Sequence, residues 1–170
     1  MSVENSVGLM NILEFAIQME HEGEKYYTEQ AEINKNNVLS TVFLMLANDE
    51  KIHAKVLQNK ANKQPYTLKQ NETLSEAKNV FSDIASVKIG IKQIPNQLGV
   101  YRLALENEKA SIALYRKYLF AATDEESKKL FEALMKQEES HFKIIDQLVS
   151  LISRPEEWVE SAEFGLREQY

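Results

Sequence analysis

Glu138-Glu139-Ser140-His141, inside the run Leu130–Ile152, puts a carboxylate and an imidazole where a helix would carry leucines. The apolar residues of this run recur with helical period: Phe131, Leu134, then Glu138 and His141, then Ile145, Leu148 and Ile152. A buried carboxylate without a partner costs several kcal/mol, so an acid on an inward stripe asks for a cation. Glu and His at i and i+3 project from one face of a helix and can grip a single ion.

The spacing occurs again. Glu50-Lys51-Ile52-His53 sits on its own apolar stripe, formed by Leu39, Val42 or Phe43, Leu46 and Leu57. Glu50 and Glu138 are 88 positions apart, and so are His53 and His141. The third histidine, His21, has Gln18 three residues before it and lies outside the pattern.

The same offset relates other inward positions: Ala16 with Ala104, Glu20 with Glu108, Tyr27 with Tyr115, Phe43 with Phe131, Leu46 with Leu134. Glu20 lies on the stripe Leu13, Ala16, Glu20, Gly23, Tyr27. Glu108 lies on Ala104, Glu108, Ser111, Tyr115, with Tyr118 or Leu119 next. The chain therefore reads as two copies of one helical hairpin, about 9–61 and about 96–153, joined by a long crossover over 62–96. Two such hairpins predict an all-α, antiparallel four-helix bundle in a single domain spanning 1–170. The crossover is long enough to hold a shorter helix over Thr73–Val87, with Leu74, Ala77, Phe81 and Ile84 on one side. Residues 1–8 read as a frayed start. Thr123-Asp124-Glu125-Glu126 reads as a helix start, Arg154-Pro155 as a stop, and about 155–170 as a short tail helix bearing Trp158 and Phe164.

Composition agrees and excludes much else. Five Gly and three Pro in 170 residues do not suit a turn-rich β fold. A net charge of −6 argues against a nucleic-acid partner. No residue is Cys, which rules out disulfides, thiolate zinc sites and cysteine-held iron centres within this sequence. No apolar run reaches membrane-span length and no signal peptide is read, so the expected compartment is the cytoplasm, with no membrane partner.

Glu20, Glu50, His53, Glu108, Glu138 and His141 make a set of four carboxylates and two imidazoles. Two divalent cations would neutralise the four acids, which would otherwise repel one another. A sulfur-free set of oxygens and imidazoles suits iron or manganese, with zinc a frequent substitute. One Glu from each of two helices with Glu-x-x-His from each of the other two is the ferritin-like dinuclear arrangement. Glu50 and Glu138 are expected to bridge; Glu20 with His53, and Glu108 with His141, are expected to be terminal. A salt-bridge network is the competing explanation, but few basic residues fall on the stripes. Tyr27 and Tyr115 can hydrogen-bond the terminal carboxylates or serve only as core aromatics. Glu24 reads as a solvated helix-edge residue rather than an extra ligand.

The motifs Glu20-x-x-Gly23 with Tyr26-Tyr27, Glu50-x-x-His53-Ala54, Glu108 with Tyr115, and Glu138-x-x-His141 resemble the rubrerythrin branch of the ferritin-like superfamily over about residues 9–152. That resemblance implies a di-iron centre, an oxidoreductase reaction with hydrogen peroxide or dioxygen, and a role in oxidative stress. Rubrerythrins with a C-terminal rubredoxin-like domain carry four cysteines there. This sequence has none, which implies a separate electron-donor protein. A homodimer is the expected assembly. The family's extra Glu, one turn after the third-helix ligand, is Ser111 here, so the redox-linked ligand switch attributed to that Glu is not implied. A ferroxidase or iron-handling protein, or a dinuclear metal-binding protein without turnover, are the alternatives.

Overall fold

A computed structural model describes the backbone of residues 3–167 and the side chains of residues 8–153. Among these residues the only regular elements are six helices: α1 (Val3–Ile33), α2 (Leu39–Ala61), α3 (Thr73–Ser82), α4 (Ile84–Gln93), α5 (Leu98–Ala121) and α6 (Glu125–Arg167). α1 pairs lengthwise with α2, and α5 with α6.

The direction of each helix follows from the two apolar clusters it crosses. One holds Tyr27, Leu39, Phe43, Tyr101 and Leu148; the other holds Leu13, Leu57, Tyr115, Leu130 and Phe131. α1 thus runs from the second cluster to the first and α2 runs back. α5 starts again at the first cluster, so the crossover must return the chain along the bundle. A 23-residue helix such as α2 is about 35 Å long, which is why a tight turn cannot make this connection.

Local chemistry sets the ends. Asn37 Oδ1 accepts a hydrogen bond from Leu39 N at 2.9 Å and starts α2. α2 closes at Ala61, with Lys63 at φ 55°, in the left-handed region. Asp124 Oδ2 accepts from Ser127 N at 2.8 Å and caps α6 as the sequence suggests.

Four sequence expectations are corrected. α1 begins at Val3, several residues before the expected start; nothing in residues 3–8 breaks a helix, since Glu4, Asn5 and Val7 are all tolerated there. The crossover carries two helices rather than one. Asp83 separates them because its Oδ1 accepts from Ser86 N at 3.2 Å, a cap that starts α4. Ile84 therefore turns out to solvent and Val87 takes the buried position. Lastly, α6 continues through Arg154-Pro155 to Arg167 in place of a stop and a separate tail helix. Proline removes one backbone donor but does not forbid a helical backbone, and Glu156, Glu157, Glu160 and Ala162 beyond it are good helix formers. Trp158 and Phe164 lie outside the described side chains. Among the described residues no helix is long and apolar enough to cross a membrane.

Candidate metal centre

A polar layer separates the two apolar clusters, and all six candidate residues lie in it. Glu20 comes from α1, Glu50 and His53 from α2, Glu108 from α5, Glu138 and His141 from α6. His53 and His141 are 0% exposed, Glu20 and Glu138 1%, Glu50 and Glu108 4%. His53 Nδ1 faces three carboxylates: Glu138 at 3.1 Å, Glu20 at 3.4 Å and Glu50 at 3.6 Å. His141 Nδ1 repeats this with Glu50 at 3.2 Å, Glu138 at 3.5 Å and Glu108 at 3.8 Å. The two imidazoles stack, with centroids 5.7 Å apart.

The donors divide into two quartets: Glu20, Glu50, His53, Glu138 and Glu50, Glu108, Glu138, His141. Within each, the donor atoms lie within 4.8 Å of one another. Ligand atoms about 2 Å from one ion are themselves roughly 3–4 Å apart, so the spacing fits one ion per quartet. Glu50 and Glu138 belong to both quartets.

Packed this closely, the six groups perturb one another's titration. Burial, then the charge of Glu138, pushes the Glu20 carboxyl well above the usual range, and the same two causes raise Glu108. Burial alone would lower the histidines, but Glu20 beside His53 and Glu50 beside His141 hold both rings well above the ordinary imidazole value. Burial would raise Glu138 as well, yet the two histidines facing it hold it well below the carboxylate range. Burial and Glu138 act upward on Glu50, and the Glu20 carboxyl and His141 outweigh them.

That arrangement leaves defects that a cation would repair. Glu20 Oε2, Glu108 Oε2 and Glu138 Oε2 are buried with no hydrogen-bond partner among the described residues. Buried acceptors of this kind are rare in folded proteins. Each belongs to a quartet, and each would become a ligand. The cluster fits a metal site.

Tyr27 donates its hydroxyl hydrogen bond to Glu108 Oε1, and Tyr115 donates to Glu20 Oε1. Each tyrosine also stacks on a phenylalanine of its own hairpin: Tyr27 on Phe43 at 6.3 Å, Tyr115 on Phe131 at 6.4 Å. Gly23 closes over Glu50; a Cβ there would stand 3.2 Å from Glu50 Cδ. Between α1 and α5 a cleft of about 410 Å³, lined by Met19, Gly23, Ser111 and Leu114 among others, reaches Glu20, Glu50 and Glu108. Ser111 is not part of the cluster: its Oγ donates to Asn107 O at 3.1 Å and lies 3.4 Å from Met19 Sδ. Glu24 lies 3.6 Å from His21 at the helix edge and belongs to neither quartet.

Two residues escaped the sequence reading. His141 Nε2 donates to Asp49 Oδ2 at 3.0 Å, and His53 Nε2 donates to Gln137 Oε1 at 2.7 Å. Both acceptors lie one position before a shared Glu, and the 88-residue repeat pairs them. That pairing was the available signal. It was hidden because each reaches the histidine of the other hairpin.

Neither the curated proteins nor the solved structures yielded a significant match. A family model described as Rubrerythrin matches residues 11–149, which takes in part or all of each of the four long helices and every residue of the cluster. The chain therefore belongs to the rubrerythrin family, a family of ferritin-like helical bundles that bind a di-iron centre.

Proposed function

We propose that this chain is a di-iron oxidoreductase that reduces hydrogen peroxide, with dioxygen as the alternative oxidant, using electrons from a separate donor protein. One observation carries the reading: two donor quartets share Glu50 and Glu138 in a buried layer that holds orphaned carboxylate oxygens. In this reading Glu50 and Glu138 would be common to two ions, Glu20 and His53 would hold one of them, and Glu108 and His141 would hold the other.

Reduction of one peroxide to two waters takes two electrons and two protons, and a pair of Fe(II) ions bound here would supply the electrons. The chain supplies the rest. Tyr27 and Tyr115 orient the terminal carboxylates through their hydroxyls. Asp49 and Gln137 accept the Nε2 protons, which leaves each Nδ1 turned toward the carboxylates. The apolar clusters close the layer on two sides. The cleft beside Gly23 gives a small oxidant a path from solvent.

Stopped-flow oxidation of the Fe(II)-loaded protein tests the proposal. Faster oxidation by peroxide than by dioxygen supports it. Fast dioxygen consumption with a ferric mineral product would favour ferroxidase or iron handling. No reaction with either oxidant would leave a metal-binding protein without turnover.

A further inference from the structure

The two halves of the cluster are copies in their inner ligands but not in what stands behind them. His141 backs onto a carboxylate, that of Asp49, at 3.0 Å. His53 backs onto an amide, that of Gln137, at 2.7 Å. The amide is oriented by the crossover. Gln137 Nε2 donates to Lys69 O at 2.9 Å, and Asn71 Nδ2 donates to Gln137 Oε1 at 3.0 Å. With its NH₂ held by a carbonyl, Gln137 can offer His53 only an oxygen.

These acceptors are chemically unequal. Each fixes the same tautomer, with Nε2–H outward and Nδ1 inward. A carboxylate acceptor pulls harder on the Nε2 proton and makes Nδ1 the better electron donor. It also places one more negative charge, 4% exposed, beside the His141 half of the site. The oxygen of Gln137 carries only a partial charge, which it divides between His53 and Asn71.

We infer that the two metal positions are inequivalent: the Glu108–His141 position binds a divalent cation more tightly than the Glu20–His53 position, with Asp49 and Gln137 as the positioning residues that set the difference. The inference rests on the metal-centre reading but not on the choice of oxidant. The His53 position fills last and empties first. It is also the one whose outer support, through Lys69 and Asn71, belongs to the crossover rather than to the four long helices. Outer-shell partners of metal-bound histidines are commonly worth about 10–100-fold in affinity, which sets the scale of the effect.

The test isolates each half, so that repulsion between two bound cations plays no part. His53→Ala and His141→Ala each leave one complete position, titrated anaerobically with Fe(II) by calorimetry. The expected result is that His53→Ala binds one Fe(II) about tenfold or more tightly than His141→Ala. Adding Asp49→Asn to His53→Ala should remove most of that difference. Equal affinities in the two alanine variants, or a difference that survives Asp49→Asn, would overturn the inference. If either alanine variant fails to fold, the order is read in the intact chain instead. Anaerobic calorimetry should then resolve two Fe(II)-binding steps about tenfold or more apart, and Asp49→Asn should bring them closer together. A separation unchanged by Asp49→Asn would overturn it. Failure of the unmodified chain to bind Fe(II) at all would remove the metal-centre reading and this inference together.

Discussion

Tyr27 of the first hairpin hydrogen-bonds Glu108 of the second, and Tyr115 of the second hydrogen-bonds Glu20 of the first. The hairpins therefore hold one another's terminal carboxylates. Both hydroxyls are deeply buried, and burial together with the facing carboxylate keeps each phenol well above its usual value, so it stays a donor. Tyr27→Phe removes the donor and leaves the ring stacked on Phe43. The expected outcome is a roughly 10–100-fold loss of Fe(II) affinity with little change in helix content. Tyr115→Phe should give a loss of the same order. Calorimetric titration beside circular dichroism checks both.

Glu50→Ala and Glu138→Ala remove the carboxylates common to the two quartets. Each should reduce binding to at most one ion per chain, with an affinity loss beyond the roughly 10–100-fold that outer-shell changes cost. Metal analysis after equilibrium dialysis decides the matter. Two ions retained in both variants would refute the bridging roles.

Gly23 stands at the 88-residue partner of Ser111, one turn past Glu20, where the helix runs close to Glu50. An added Cβ would lie 3.2 Å from Glu50 Cδ and 3.3 Å from Oε1. Gly23→Ala should raise the melting temperature of the metal-free protein, because Ala gains up to about 1 kcal/mol in a helix interior and a free carboxylate can shift. It should weaken metal binding roughly tenfold, because a carboxylate held by metal would have no such freedom. Opposite signs in thermal unfolding and in Fe(II) titration are the signature. A melting temperature that falls would show that Glu50 is already fixed without metal.

Much of this site was legible because metal chemistry forces polar residues onto apolar seams. Glu20, Glu50, His53, Glu108, Glu138 and His141 were visible as interruptions of a 3.6-residue period, and the repeat then named the hairpins. Asp49 and Gln137 were not visible in that way. They lie on helix flanks where an acid or an amide is ordinary, and only the contact across the hairpins gives them a task. The break at Asp83 needed knowledge of a side chain choosing to cap, which Leu74, Ala77 and Phe81 do not reveal. Pro155 reads as a stop because proline usually ends helices, but the helix formers around it outweigh that preference.

The protons of the metal-free cluster give it an unusual pH response. Glu20 and Glu108 stand well above the 4.5 of a free Glu, and His53 and His141 well above the 6.5 of a free His. Over the neutral and mildly alkaline range the folded chain therefore holds more protons than the unfolded chain. Stability must then fall as pH rises. Glu138, held well below 4.5, acts in the opposite sense, but only at acid pH outside this window. The melting temperature of metal-free protein should drop from about pH 6 to about pH 9, before the general alkaline loss from Tyr and Lys begins. Metal takes the place of those protons, so loaded protein should be flatter over the same range, and Fe(II) affinity should rise with pH. Calorimetry in buffers of different ionisation enthalpy should register proton release on binding. No release would show that the cluster is already deprotonated.

Gly90 of α4 packs against Asn37, the residue that starts α2. A Cβ at position 90 would fall 2.8 Å from Asn37 Oδ1 and 3.0 Å from its Cγ. That oxygen accepts the hydrogen bond from Leu39 N at 2.9 Å, so relief of the clash and retention of the turn are incompatible. Overpacking and a lost cap each cost about 1–2 kcal/mol, against a helix-propensity gain of about 1 kcal/mol for Ala over Gly. Gly90→Ala should therefore destabilise the chain by roughly 1–2 kcal/mol. Asn37→Ala alone should cost about 1 kcal/mol through loss of the acceptor. In the Asn37→Ala background the obstructing amide is gone, and Gly90→Ala should become neutral or stabilising. A double-mutant cycle by urea unfolding should then give a coupling of about 1 kcal/mol or more. Additive effects would mean that the crossover helix α4 does not depend on the α1–α2 turn at all.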